Sequence, residues 1–157
     1  MTLYDVFDWL EQTPIGEAIR GSSWLFPVVE AAHLVGLALL GGALLLVDLR
    51  LLGFGLKDRS PAYLVAQLRP WLLAALALMF ATGIPLFLSE AIKCQASTAF
   101  QVKMCALALG LVYTFCVRNR LAERLPESHV WRARALGAIS LTLWFTVAAA
   151  GRWIGFS

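Results

Sequence analysis

A chain of 157 residues has room for one domain, and 60% hydrophobic against 15% charged residues is the wrong balance for a water-soluble fold of that size. The charges are bunched between long apolar runs, whereas a helix in water needs a polar outer face, so the composition points to lipid as the solvent. A formal net charge of +3 with no interleaving of basic and aromatic residues excludes a nucleic-acid partner.

The first element is short. Leu3, Val6, Phe7 and Leu10 recur at i, i+3, i+4, i+7 with acids on the other side, and Thr2 and Asp5 have the spacing of a capping box. Residues 2–12 are therefore expected as an amphipathic helix lying at the membrane surface, with Trp9 near the headgroups. Asp5, Asp8 and Glu11 stand where a signal peptide would carry its basic residues, so the first span is expected to act as its own insertion signal. Thr13-Pro14 has the pattern that caps a second short turn ending near Gly21.

Four apolar segments follow, approximately 24–47, 70–89, 100–117 and 135–154. Each is close to the ~20 residues that cross ~30 Å of hydrocarbon. Trp24, Trp71, Trp131 and Trp153 fall near segment ends, as an aromatic belt requires. Gly83 and Pro85 predict a kinked or unwound end to the second segment. The expected fold is all-α: an integral membrane four-helix bundle with a short amphipathic surface helix, residues 1–157 forming one membrane domain.

Orientation follows from the cations. Arg50, Lys57, Arg59, Arg69, Arg118, Arg120, Arg124, Arg132 and Arg134 belong to the loops after the first and third segments, nine of the 13 Lys and Arg. The other four are Arg20, Lys93, Lys103 and Arg152. That bias predicts basic loops in the cytoplasm and both termini outside. Cys94, Cys105 and Cys116 form no CxxC pair, and Cys105 and Cys116, about three turns apart on one helix, are too distant to bridge.

The first span carries the informative charges. At 100° per residue Glu30 and Asp48 superimpose, with His33 about 60° to one side and Gly41 about 20° to the other. An ionisable stripe in a greasy helix is expected to face the bundle interior, and Gly36, Gly41 and Gly42 to admit a neighbouring backbone. Glu90, Lys103 and Arg152 lie near the same end as Glu30, which predicts a buried charge network there, with Glu30 paired to Arg152 or Lys103. At the opposite end Asp48 is expected to pair with Arg69, Arg118 or Arg120, and Asp48, Arg50, Arg69 and Arg118 form a candidate structural clamp.

His33 can also act as a ligand or proton carrier, with Glu30 one turn away to orient it. Met104 and Cys105 start the third segment at similar depth and add soft donors for copper. His129 belongs to the basic loop at the other face, which argues against a bis-histidine haem in one subunit; a haem shared by two copies of His33, or completed by Met104, stays open. There is no phosphate loop, HExxH or GxSxG motif, and no catalytic residue is assigned.

Glu30-x-x-His33-x-x-Gly36, Asp48-Leu-Arg50-Leu-Leu-Gly53 and Gly151-Arg152-Trp153-Ile154-Gly155 resemble a family of small bacterial four-helix inner-membrane proteins, a domain of unknown function, over nearly the whole chain. The resemblance implies fold and inner-membrane location. The histidine followed by a Gly-rich helix also resembles, more distantly, the membrane domain of copper-resistance D type proteins, which implies copper. Three functions follow as expectations: a membrane component binding haem, copper or a proton at Glu30/His33; an accessory or scaffold subunit of a membrane complex; or a small transporter that requires oligomerisation.

Overall fold

The computed structural model describes residues 2–126 and 128–156. Helices α1 (Leu3–Glu11) and α2 (Pro14–Gly21) precede α3 (Leu25–Leu52), α4 (Pro61–Ser89), the short α5 (Ala91–Ala96) and α6 (Thr98–Val112). A π-helical turn, Tyr113–Arg118, continues α6 into α7 (Asn119–Arg124), and α8 (Val130–Trp153) runs into a 3₁₀ turn, Ile154–Phe156. Four helical stretches are long and apolar enough to cross a bilayer: Leu25–Leu52, Pro61–Ser89, Thr98–Arg124 and Val130–Trp153. The chain is a multi-pass membrane protein by that length and hydropathy, and its outward faces carry Leu34, Leu46, Leu73, Leu109 and Ile139.

The helix starts have local causes. Thr2 and Asp5 close the capping box, the Thr2 N–H donating to Asp5 Oδ2 at 2.6 Å and the Asp5 N–H to Thr2 Oγ1 at 3.3 Å. Hydrogen bonding from Thr2 to the carboxylate, its backbone N–H first and its side chain second, holds the Asp5 carboxyl below its ordinary value. Thr13 caps α2 and Ser60 caps α4, each with proline at the start of the helix. α3 stops at Gly53, whose φ of +89° is left-handed, with the Phe54 N–H reaching back to the Leu49 carbonyl at 2.8 Å.

All four spans extend further toward the basic loops than the apolar segments expected from the sequence, and two of the extensions have a plain cause. α3 continues past residue 47 because Asp48 is neutralised by a partner, and α4 begins at Pro61 because Ser60 caps it and its apolar face reaches Leu64 and Val65. Of the kinked or unwound end expected at Gly83 and Pro85, the unwinding does not occur: α4 keeps both Pro70 and Pro85 inside a helix that runs to Ser89. The carbonyls a proline strands are tolerated where neighbouring helices and hydroxyls take up polar groups.

α3 packs against α4 and α8, α6 packs against α8, and α4 meets α7 at the loop end of the bundle. One apolar cluster (Val47, Leu51, Leu64, Val65, Ala122, Leu136) closes the loop end, and another (Leu40, Ala43, Leu44, Leu72, Ala75, Leu76) fills mid-membrane. Close approach between the spans depends on glycine at several places, two of them on contacts of α3. A Cβ at Gly137 would come within 2.8 Å of the Asp48 carbonyl oxygen, and one at Gly36 within 3.2 Å of Met79 Sδ. Gly41 and Gly42, expected to do the same, have nothing within 4 Å of a built Cβ and lie on an exposed face.

The π turn solves a phase problem. Ala106, Gly110, Thr114, Arg118 and Ala122 are all buried at a strict spacing of four. At 3.6 residues per turn each such step drifts about 40° around the helix. A turn closed by i→i+5 bonds holds more residues and takes the drift back, so Thr114 and Arg118 both face inward.

Candidate functional site

An elongated cavity of about 540 Å³ lies between α3, α4, α6 and α8, walled almost entirely by apolar side chains. Its size is that of small-molecule sites. Phe7 of α1 covers the end near the termini, edge-on to Phe87 at 6.1 Å, and Phe87 stacks on Phe100 at 5.4 Å. Some wall residues are also exposed on the outer surface of the bundle: Gly41, Leu45 and Phe145 at the α3–α8 seam, Phe80, Ile84 and Met104 on α4 and α6. The cavity therefore communicates sideways with the region the acyl chains occupy.

His33 enters this wall from the buried face of α3. Its Nδ1 lies 2.8 Å from Thr82 Oγ1, and Thr82 Oγ1 lies 2.7 Å from the Leu78 carbonyl oxygen. A hydroxyl has one proton, and the carbonyl oxygen can only accept it. Thr82 therefore donates to Leu78 and accepts from His33, which places the imidazole proton on Nδ1 and leaves the Nε2 lone pair bare. Every fully buried side-chain nitrogen or oxygen among the described residues has a hydrogen-bond partner. Nε2 has none, so it is accessible, on a ring that lines the cavity. Gly83 makes room for the ring, since a Cβ there would stand 3.1 Å from His33 Cε1.

Lys103 reaches the cavity from α6, its stem lying over Gly151, where a Cβ would meet Lys103 Cε at 3.6 Å. No carboxylate forms an ion pair with it among the described residues. At the far end Asp48 is fully buried and bonded twice: Arg118 Nη1 donates to Oδ1 at 2.8 Å and Ser140 Oγ to Oδ2 at 2.7 Å. The Arg118 guanidinium also donates to Ser140 Oγ and, through Nε and Nη2, to Asn119 Oδ1. Each polar atom of the pair is answered, which is the condition for holding charge at this depth.

The predicted site residues separate into those the fold gathers and those it disperses. Asp48 and Arg118 meet; Arg50 instead donates to the Arg59 carbonyl at 2.6 Å, and Arg69 is exposed. Glu30 is exposed rather than interior. The buried face of α3, through Gly36, Leu40, Leu44 and Leu51, is centred roughly 80° away from the line of Glu30 and Asp48, on the His33 side. Asp48 at the edge of that face is covered because α8 packs there at Gly137; Glu30, one end of the helix away, is not. The expected network of Glu30, Glu90, Lys103 and Arg152 is dispersed: Glu30 and Arg152 are exposed, Lys103 lines the cavity, and Glu90 lies where α4 turns into α5.

As a metal site the four candidates do not fit. Cys105 is exposed and absent from the cavity wall, Glu30 is on the surface, and only Met104 shares the cavity with His33. Among the described residues no three His, Cys, Asp or Glu come together to hold a metal ion.

The ion pair near the termini is a different one. Arg20 Nη1 meets Glu11 Oε1 at 2.6 Å, and Glu11 Oε2 accepts the Ile92 N–H at 2.9 Å. It ties α1 and α2 to the α4–α5 corner, beside Cys94, whose thiol is pushed up to about 11 by burial and by the charge of Glu90. Thr82, Trp144 and Ser140 are further participants absent from the sequence reading, and Phe7 entered it only as part of the apolar face of the first helix; each is an ordinary packing residue until a neighbour in space gives it a role.

An α-helical multi-pass protein enclosing an apolar cavity between its spans is thus the class defined by fold and site. Over residues 6–157 the chain matches the model of a family of unknown function (DUF6644), and it belongs to that family. No curated protein and no solved structure matches it.

Proposed function

We propose that this protein is a ligand-binding component of the bacterial inner membrane, holding an apolar molecule in the interhelical cavity through a hydrogen bond to His33 Nε2. The observation that carries this is the Thr82–His33 bond at 2.8 Å, which fixes the tautomer and turns a bare lone pair toward a cavity with almost no other polar surface. A ligand bearing an O–H group supplies the missing donor. The lateral gaps let it enter from the bilayer, and the nine-to-four distribution of Lys and Arg supports both termini, and so His33, on the outer side.

The test is mass spectrometry of an organic extract of the purified protein, with its visible spectrum. An apolar compound is expected to co-purify with wild type and with Glu30→Gln, and to be lost from His33→Phe. Identical extracts from wild type and His33→Phe refute the reading. A Soret band removed by His33→Phe would instead identify the occupant as haem, with His33 as its axial ligand.

A further inference from the structure

The cavity holds two polar groups near the termini, and together they ask for one kind of head group. Among the described residues Lys103 is the single cation on the wall, and the single acid, Asp48, is already committed to Arg118 at the other end. An ammonium held in an apolar wall without a counter-ion is costly. A neutral hydroxyl donor would satisfy His33 and leave that charge uncompensated. An acid gives His33 its proton and stands a carboxylate directly beside the ammonium, one anion then shared between two cations.

Resting on the ligand-binding reading above, we infer that the occupant is a single-chain amphiphile with an acidic head, a long-chain carboxylic acid. The neutral acid, the form that dissolves in hydrocarbon, gives its proton to His33 Nε2. The O–H bond breaks, an N–H bond forms, and the carboxylate is left facing the imidazolium and the Lys103 ammonium. The shape agrees with a chain. The wall follows α3 from His33 to Asp48, roughly 22 Å at 1.5 Å per residue. An extended chain of about 16 carbons is ~20 Å long from C–C bonds of ~1.5 Å.

Trp144 reports on this space, because it lines the cavity while Trp9, Trp24, Trp71, Trp131 and Trp153 are exposed on the surface. The experiment titrates the full chain, in a neutral detergent, with 9,10-dibromostearic acid and separately with its methyl ester, whose bromines quench tryptophan on contact. The acid is expected to quench a saturable fraction of the fluorescence, and that fraction is absent from Trp144→Phe. The ester is expected to need about tenfold more for the same effect, the order of one lost charge-assisted contact. Lys103→Gln should reduce the acid to the level of the ester, and Lys103→Arg should preserve the preference.

Equal quenching by acid and ester in wild type overturns the acidic head group while leaving the ligand-binding reading standing. Retention of the preference in Lys103→Gln overturns it as well. If neither probe quenches Trp144 saturably, the ligand-binding reading fails and this inference falls with it. Should Lys103→Gln not fold, the wild-type comparison of acid and ester decides alone.

Discussion

Replacing Asp48 by leucine isolates the energetics of the buried pair. The change removes the partner of Arg118 Nη1 at 2.8 Å and the acceptor of the Ser140 hydroxyl at 2.7 Å. The guanidinium stays buried, held by Asn119 and Ser140 alone. An uncompensated buried charge costs about 3–5 kcal/mol, whereas replacing both partners with apolar groups is often neutral or stabilising. Asp48→Leu should therefore lower the thermal midpoint of the detergent-solubilised protein by roughly 10 °C, taking about 2–4 °C per kcal/mol for a chain of this size. The double variant Asp48→Leu/Arg118→Met should recover most of the loss. Scanning tryptophan fluorescence follows both, and the double-variant cycle gives the coupling. A single variant as stable as wild type would refute the reasoning, as would a double variant worse than the sum of its parts.

Four further outcomes follow from particular contacts. Gly137→Ala puts a methyl group against the Asp48 carbonyl and should cost about 1–3 kcal/mol in the same assay, because backbone cannot move aside as a flexible side chain can. Ser140→Ala should cost about 1–3 kcal/mol by removing one donor and one acceptor from the buried pair. Asp5 has a depressed carboxyl value in the folded chain, so its contribution to α1 is present above the ordinary carboxylate range and lost as pH falls through the depressed value; amide exchange in residues 3–11 should accelerate there in wild type and show no such pH step in Asp5→Asn. Cys94, raised from 9.0 to about 11, should react with N-ethylmaleimide at pH 8 about 100-fold more slowly than an unperturbed thiol in a Cys105→Ser/Cys116→Ser background, gaining about tenfold per pH unit; a rate equal to that of free cysteine would contradict its burial.

Length, hydropathy and local capping are properties of contiguous residues, so they could be read from the chain alone. The four apolar runs, the Thr2–Asp5 box and the Thr13-Pro14 start all declare themselves within a few positions. The helical wheel of the first span also carried real information: it placed Asp48 and His33 near one face, and both line the cavity. It could not say which side of that face the neighbouring helices cover, because a span that is apolar all round has no polar side to mark its exposure. Glu30 consequently falls outside and Gly41 is exposed at the rim of the cavity, although they share the stripe.

The partner of Asp48 was one of three candidate arginines until the π turn brought Arg118 inward, and nothing in a uniformly apolar helix announces such a turn. The tautomer of His33 depends on Thr82, 49 residues away, and on where the single proton of that hydroxyl goes. Contiguous residues carry enough to place the chain in lipid, to locate its four spans roughly, and to name the ionisable groups that have to be accommodated. Which of those groups are paired, which are exposed, and that His33 and Lys103 line one cavity emerge with the packing of the bundle. Side-chain pairing at hydrocarbon depth is set by helix phase and crossing, and those are properties of the bundle rather than of any one span.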